Sequence, residues 1–360
     1  MSATEQRLRD ALEEVARDAQ QHLPGSRGVL LRLSVPARDL DVAVAVGHRT
    51  SGPDATPLNP DDAFHTASVT KTYTAAATLR AAELGRLDLD ASLVGVLPPD
   101  AARALRATGH DDAVLTPRSL LRHTAGLADY AVDPAWVGAL VADPRRVWSP
   151  QDLLEWGLRS GTAPVGAYSY SDTGYVLVAM ALEAVCGLPL AQVYRELLGF
   201  EQLALDRTWV WGRELPPVPL ERLAHHHAGD VDLLEAIDPS MDDFGGGGIA
   251  APTADLVRFW QALLGGDVLR PASLAAMLEF VPAGDDGAIG LGIFEQRFGA
   301  VRAIGHTGAS GAAVFTAPDL GATLAGSVLR VGYPAEVEPD WPHHPKRLLV
   351  ERVLTLAAEL

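Results

Sequence analysis

Apolar positions along residues 5–20 recur at helical spacing, with Leu8, Leu12, Val15 and Ala19 on one face. Val29 to Val35 and Leu40 to Val46 alternate instead with the period of a strand, and Pro36–Asp39 between them reads as a turn. Residues 49–62 are rich in Gly, Pro, Asp and Thr and read as a loop. A long helix is expected from about 68 to 84, stopped by Gly85. From 86 to about 245 the pattern is mostly helical with many Pro and Gly breaks, including an apolar helix that starts near Gly174. A helix is expected over 253–264, short strands over 289–296, 300–305, 311–316 and 321–329, and a closing amphipathic helix near 344–359. Helix and strands first, helices in the middle, strands and helix last predicts an α/β lobe built from residues 1–85 and 246–360. A mostly helical lobe, 86–245, is then inserted, with a cleft between the two.

The 360 residues are 48% hydrophobic, ample for a sizeable core, and carry a net charge of −17 with no basic cluster. That charge argues against a nucleic-acid or anionic-membrane partner. No stretch of about 18 apolar residues is present, so no membrane span is expected. The start, Met-Ser-Ala-Thr-Glu-Gln, lacks the basic and apolar regions of a secretory signal, and the reading is cytoplasmic. The one cysteine, Cys186, cannot form an internal disulfide and reads as a buried small hydrophobe.

The basic residues sharpen the picture. Of 29, only Lys71 and Lys346 are lysines; the rest are arginine. Lysine can give up its proton in a protein and arginine cannot. Lys346, in Pro-Lys-Arg near the end, reads as a solvated surface residue. Lys71 lies one helical turn after Ser68, on the same face. A serine hydroxyl attacks only when a base takes its proton, and an amine whose pKa burial has depressed can do so. By itself this spacing also fits a helix-capping serine with a surface lysine. The flanks decide against that: Ala67, Thr72, Ala75, Ala76 and Ala77 are small and uncharged, as in a buried helix. Two further elements follow. Tyr170-Ser171-Asp172 sits in a polar aromatic loop before the helix near Gly174, where a tyrosine can relay a proton. His306-Thr307-Gly308-Ala309 ends a strand pattern, where the Ala309 amide can join the Ser68 amide as an oxyanion hole.

In the order S-x-x-K, Y-S-D, H-T-G, these elements resemble the penicillin-binding protein and class C β-lactamase superfamily, which includes serine DD-peptidases and β-lactamase-fold esterases. The similarity extends to Phe64–Lys71, Leu84–Asp90, Leu120–Leu127, Gly246–Leu256 and Gly290–Ile293, and so covers roughly 40–330. It implies a β-lactamase-like α/β fold, an antiparallel sheet flanked by helices with an inserted helical lobe. It also implies Ser68 as the acylated residue, Lys71 and Tyr170 as its proton partners, and the Ser68 and Ala309 amides as the oxyanion hole. No cofactor and no metal are implied.

Three departures shift the expected substrate. Asp172 stands where DD-peptidases and β-lactamases carry asparagine; a carboxylate only accepts, which suits a donor such as a substrate amine. His306 replaces a lysine, and Phe294 stands where a DD-peptidase carries an arginine for the substrate carboxylate. With Thr307 and Gly308, these residues make up the expected substrate-binding set. The expected function is acyl-enzyme hydrolysis of a small ester or amide, by an esterase, D-peptidase or DD-carboxypeptidase-like enzyme. The alternatives are a β-lactamase, an acyltransferase using the same acyl-enzyme, or a non-catalytic binding protein of the same fold. His225-His226-His227 reads as a polar loop at the cleft rim, because consecutive histidines cannot all face one ion; His123 reads as structural, and the tryptophans as packing.

Overall fold

The computed structural model describes residues 2–23, 25–50, 55–331 and 345–360. Helix α1 (Ala3–His22) leads into strands β1 (Gly28–Val35) and β2 (Leu40–Gly47), joined by a single turn of 3₁₀-helix at Pro36–Arg38. Six more strands close the chain's other half: β3 (Val281–Pro282), β4 (Ala288–Ile289), β5 (Phe294–Phe298), β6 (Val301–Thr307), β7 (Ala312–Ala317) and β8 (Ala322–Ser327). All pair antiparallel, in the spatial order β2-β1-β8-β7-β6-β5-β4-β3. The N-terminal hairpin thus docks against the last strand, Leu31 opposite Gly326 and Leu33 opposite Leu324.

Alternation along β1 sends Val29, Leu31, Leu33 and Val35 to one face. There they pack with Leu8, Leu12 and Val15 of α1 and with Leu349, Val350, Val353 and Leu354 of the C-terminal helix α5 (Pro345–Ala358). The opposite face meets helix α4 (Thr253–Gly265), which lies on β1, β7 and β8. Each fully buried leucine of α1 is worth about 1.5–3 kcal/mol of burial, so this layer holds the two chain ends together.

The second core surrounds helix α2 (Thr70–Glu83), which is buried on nearly every side, as its run of small residues predicts. Tyr73 stacks on Phe259 of α4 with ring centroids 3.9 Å apart. The interior threonines find acceptors: Thr74 Oγ1 donates to Gly245 O at 2.6 Å, and Thr78 Oγ1 to Thr74 O at 2.8 Å. Against α2 lies helix α3 (Asp172–Cys186), whose last residue, Cys186, is half-buried where full burial was expected.

Two expectations need correction. Residues 289–296 do not form one strand. Gly292, with φ +66°, breaks the run, and Thr72 Oγ1 takes its carbonyl at 2.8 Å, pulling the chain onto α2. The stretch 86–245 also contributes short strands that the pattern did not announce. Trp209–Val210 and Leu223–Ala224 join Ala63–His65 and Ile249–Pro252 in a four-stranded sheet. That sheet fixes the approach to Ser68 on one side and the exit of the glycine run Gly245–Gly248 on the other. Among the described residues no single helix is long and apolar enough to cross a membrane.

Candidate active site

Ser68 lies in a turn of 3₁₀-helix, Ala67–Val69, that feeds α2, so it stands just before the α-helix and not on its first turn. Ala67 before it has φ +47°, a conformation that costs a non-glycine residue about 1–2 kcal/mol. The turn is nailed down by neighbours: Thr66 Oγ1 donates to Ile249 O at 2.8 Å, and Ile249 N donates to Thr70 Oγ1 at 3.0 Å.

Lys71 is fully buried, and its ammonium donates to Ser68 Oγ at 3.0 Å and to Gly246 O at 2.9 Å. Its third direction is taken by an ion pair with Asp172 Oδ1. Gly246 has to be glycine here, since a Cβ would stand 2.5 Å from Asp172 Oδ1 and 3.3 Å from Lys71 Nζ. Burial opposes the lysine charge, but Asp172, then Asp242, overbalance it and lift Lys71 above its ordinary pKa. The sequence-based expectation of a depressed lysine is therefore reversed, and the donor that Asp172 meets is Lys71 itself.

Tyr170 brings its hydroxyl beside Ser68, and its ring lies 5.0 Å from Lys71 Nζ. Burial, then Asp172, hold it well above the usual phenol pKa, so it is a neutral hydroxyl. His123 explains why the ring stays there: it stacks on Tyr170 at 4.3 Å, and its Nδ1 accepts from Ser171 N at 3.0 Å. The segment Leu120–Leu127 thus carries the support of the tyrosine loop, helped by Ser171 Oγ and Thr173 Oγ1, which both donate to Ala128 O.

Strand β6 brings up the third element. A Cβ on Gly308 would overlap the Thr66 carbonyl oxygen, and Ser310 Oγ donates to His65 O at 2.7 Å. The turn holding Ala309 is thereby pressed onto the residues just ahead of Ser68. His306 is buried edge-on to Phe294 at 5.0 Å, and its Nδ1 meets Thr307 O at 2.6 Å. Burial, then the Lys71 charge, push His306 down to about 3. Phe294, Ile289 and Ala283, with Tyr168 and Tyr170 against them, form an apolar wall at the end of the tyrosine loop.

A model of one protein family, described as Beta-lactamase, matches residues 17–345. The chain belongs to the Beta-lactamase family. Among curated relatives, penicillin-binding protein 4* of Bacillus subtilis (strain 168) is 28% identical over 232 residues, covering 60% of this chain and 48% of the relative. Esterase EstB of Burkholderia gladioli is 28% identical over 246 residues, 61% of each. The chain spans about half the length of the first of these relatives. Among solved structures, a D-stereospecific amidohydrolase from Streptomyces sp. superposes with a TM-score of 0.78 at 25% identity, covering 95% of this chain and 98% of that one. A D-amino acid amidase from Ochrobactrum anthropi SV3, complexed with D-phenylalanine, shares the β-lactamase-like fold with a TM-score of 0.82 at 24% identity, covering 98% and 99%.

Within this Beta-lactamase frame the structure adds groups that sequence reasoning missed. Asp129 Oδ1 accepts from Asp172 N at 3.2 Å; burial, then Asp172, push its carboxyl up to about 7. Asp242 is pushed up to about 8 by burial, then by Asp172. Both stand beside motifs that were read, Asp129 just after Leu127 and Asp242 just before the glycine run, but no spacing rule joins them to Ser68. Of the three consecutive histidines, His225 and His227 turn to Asp232 and His226 turns away from it. His225 Nδ1 meets Asp232 Oδ2 at 2.6 Å, His226 stacks on His65 at 5.6 Å, and His227 is buried near Asp232. His225, Asp232 and Glu235 bring ligand atoms within 4.8 Å of one another, far along the chain from the Ser68 motifs.

Proposed function

We propose that this chain is a serine hydrolase that forms an acyl-enzyme on Ser68 and acts on a small ester or amide. The observation that carries the reading is the placement of one serine hydroxyl at 3.0 Å from a buried lysine amine, with the Tyr170 hydroxyl beside the same serine. Lys71, once it has shed its proton, takes the Ser68 proton as Oγ attacks the substrate carbonyl. The developing oxyanion is met by the amides of Ser68 and Ala309. Tyr170, kept neutral by burial, gives its proton to the leaving group and recovers one from Lys71. Water then attacks the acyl carbonyl along the same path in reverse.

The charge around Ser68 favours a neutral or cationic substrate. Lys71 and Asp172 offset each other, burial pushes the Asp129 and Asp242 carboxyls up to about 7 and 8, and Phe294 offers no cation, so a carboxylate-bearing penicillin or peptide terminus finds no spare positive charge there. A substrate amine would find acceptors in Asp129 and Asp242. The amidohydrolase and amidase among the structural neighbours support a small amide of an amino acid as the first one to try.

The test is intact-protein mass spectrometry after fluorophosphonate treatment, with p-nitrophenyl acetate and D-phenylalanine amide turnover in parallel, on wild type and Ser68→Ala. One adduct on wild type, lost in the variant together with turnover, is expected. Turnover that survives Ser68→Ala sinks the proposal. Absence of both adduct and turnover favours a binding protein of this fold.

A further inference from the structure

The second lysine is not on a solvated surface as its Pro-Lys-Arg setting implied. Lys346, near the start of α5, is partly buried, and its ammonium donates to Gly308 O at 3.0 Å. The same oxygen accepts from Gly311 N at 3.0 Å. Gly308 C=O and Ala309 N–H are the two ends of one planar peptide unit, and in a trans peptide they point in opposite directions. The chain's two lysines therefore meet the same machinery from two sides: Lys71 at the nucleophile, Lys346 behind the peptide whose N–H is the oxyanion donor.

We propose that Lys346 is a positioning residue for acyl transfer: its ammonium, bonded to Gly308 O, locks and polarises the Gly308–Ala309 peptide so that the Ala309 N–H meets the oxyanion. A cation on the carbonyl oxygen draws electron density through the amide resonance and leaves the N–H more positive. The turn is clamped on its other side by the close approach of Gly308 to Thr66 and by Ser310 on His65 O, so the peptide plane has little freedom to flip. The residue type fits the task. A backbone carbonyl in a partly buried slot suits a compact ammonium, whereas a guanidinium spreads its donors over a fork. This is the setting in which a chain that otherwise uses arginine retains a lysine. Burial pulls Lys346 down to about 8, so it remains largely a cation at neutral pH.

This inference rests on the Ser68 reading above, and the experiment separates the two. Burst kinetics with p-nitrophenyl acetate give the acylation rate constant and KM for wild type, K346M and K346R. Isotope-edited infrared spectroscopy gives the carbonyl band of the trapped Ser68 acyl-enzyme. In K346M, acylation is expected to slow about tenfold, less than the loss of a whole oxyanion donor, with KM within about twofold. The acyl carbonyl band moves to higher wavenumber, and K346R recovers part of both effects. K346Q, which keeps a donor without the charge, takes the place of K346M if the latter does not fold, and the same slowing and band shift are expected of it. Acylation within about twofold of wild type with an unmoved band in a folded K346M or K346Q overturns the role of Lys346 while leaving Ser68 in place. No acyl adduct on wild type overturns both.

Discussion

A lysine buried beside a serine ordinarily loses its charge to desolvation, yet Lys71 keeps its proton because the carboxylate of Asp172 touches it and Asp242 adds to the field. On the mechanism proposed above, the free enzyme then carries the wrong protonation state for base catalysis, and its rate should climb as pH rises toward the raised lysine pKa. Asp172→Asn removes the principal support of the charge, so burial is less opposed and Lys71 sheds its proton earlier. The rising limb of kcat/KM for an uncharged ester is expected to move to lower pH in Asp172→Asn, as read from full pH–rate profiles. A limb that stays put or moves up would show that Asp172 does not govern this lysine. That Ser68, Lys71 and Tyr170 come together was legible because their relations are local or carried by ordered motifs. Asp129, Asp242 and the supporting role of His123 were not, because loops distant in sequence bring them to Tyr170 and Lys71 only after folding.

At the scale of elements, the site is a meeting of four segments whose close approaches leave no room for side chains. Gly246→Ala places a methyl against both Asp172 and Lys71. Because Gly246 does not lie in the left-handed region, the change is felt at the ion pair more than in the backbone. Acylation in Gly246→Ala is expected to fall by about tenfold or more, as misplacement of reacting groups by a fraction of an ångström does, with the melting temperature little changed. The opposite pattern is expected at the far layer: Leu12→Ala, in α1 against β1, should cost about 2–5 kcal/mol of stability. Fluorophosphonate labelling of Ser68 at low temperature should stay intact in that variant, because α1 does not touch the site; denaturant titration beside the labelling assay checks both. Most helices and strands were readable from period alone. The broken strand at Gly292 and the strand at Trp209–Val210 were not, since each depends on a partner from elsewhere, Thr72 in one case and Ile249–Pro252 in the other. Lys346 was misread for the same reason: the end of an amphipathic helix looks exposed until the turn it meets is known.

The whole molecule balances two opposed sets of buried titrating groups. His65, His226 and His306 are held down to about 4, 3 and 3, and His123 well below its usual value, all foremost by burial. The unfolded chain binds protons at these positions below about pH 6.5 and the folded one does not, so their contribution to stability is present above that pH and is lost as pH falls. Asp129, Asp242 and Asp243 are raised to about 7, 8 and 6, again foremost by burial. Below the carboxylate pKa of the unfolded chain they cost nothing, and stability is lost as pH rises through their folded values. The melting temperature should therefore peak in weakly acidic solution, near about pH 6, and decline on both sides. A scan from pH 4 to 9 checks this, and a steady rise into the alkaline range would contradict it. Activity that depends on shedding the Lys71 proton then peaks on the alkaline flank of greatest stability.

The scarcity of lysine also bears on how the protein can be handled. Apart from the chain's α-amino end, its amines number two, one sealed against Ser68 and the other seated behind the adjoining turn. For an amine-coupling reagent, such as an activated ester used to attach a dye or a resin, the lysine that sheds its proton first is Lys346, pulled down by burial to about 8. If Lys346 positions the Ala309 amide as proposed, coupling there would be read as inhibition. Attachment is better directed to the half-buried thiol at the end of α3, and an apparent inactivation by acylating agents has to be sorted by peptide mapping before it is credited to the serine.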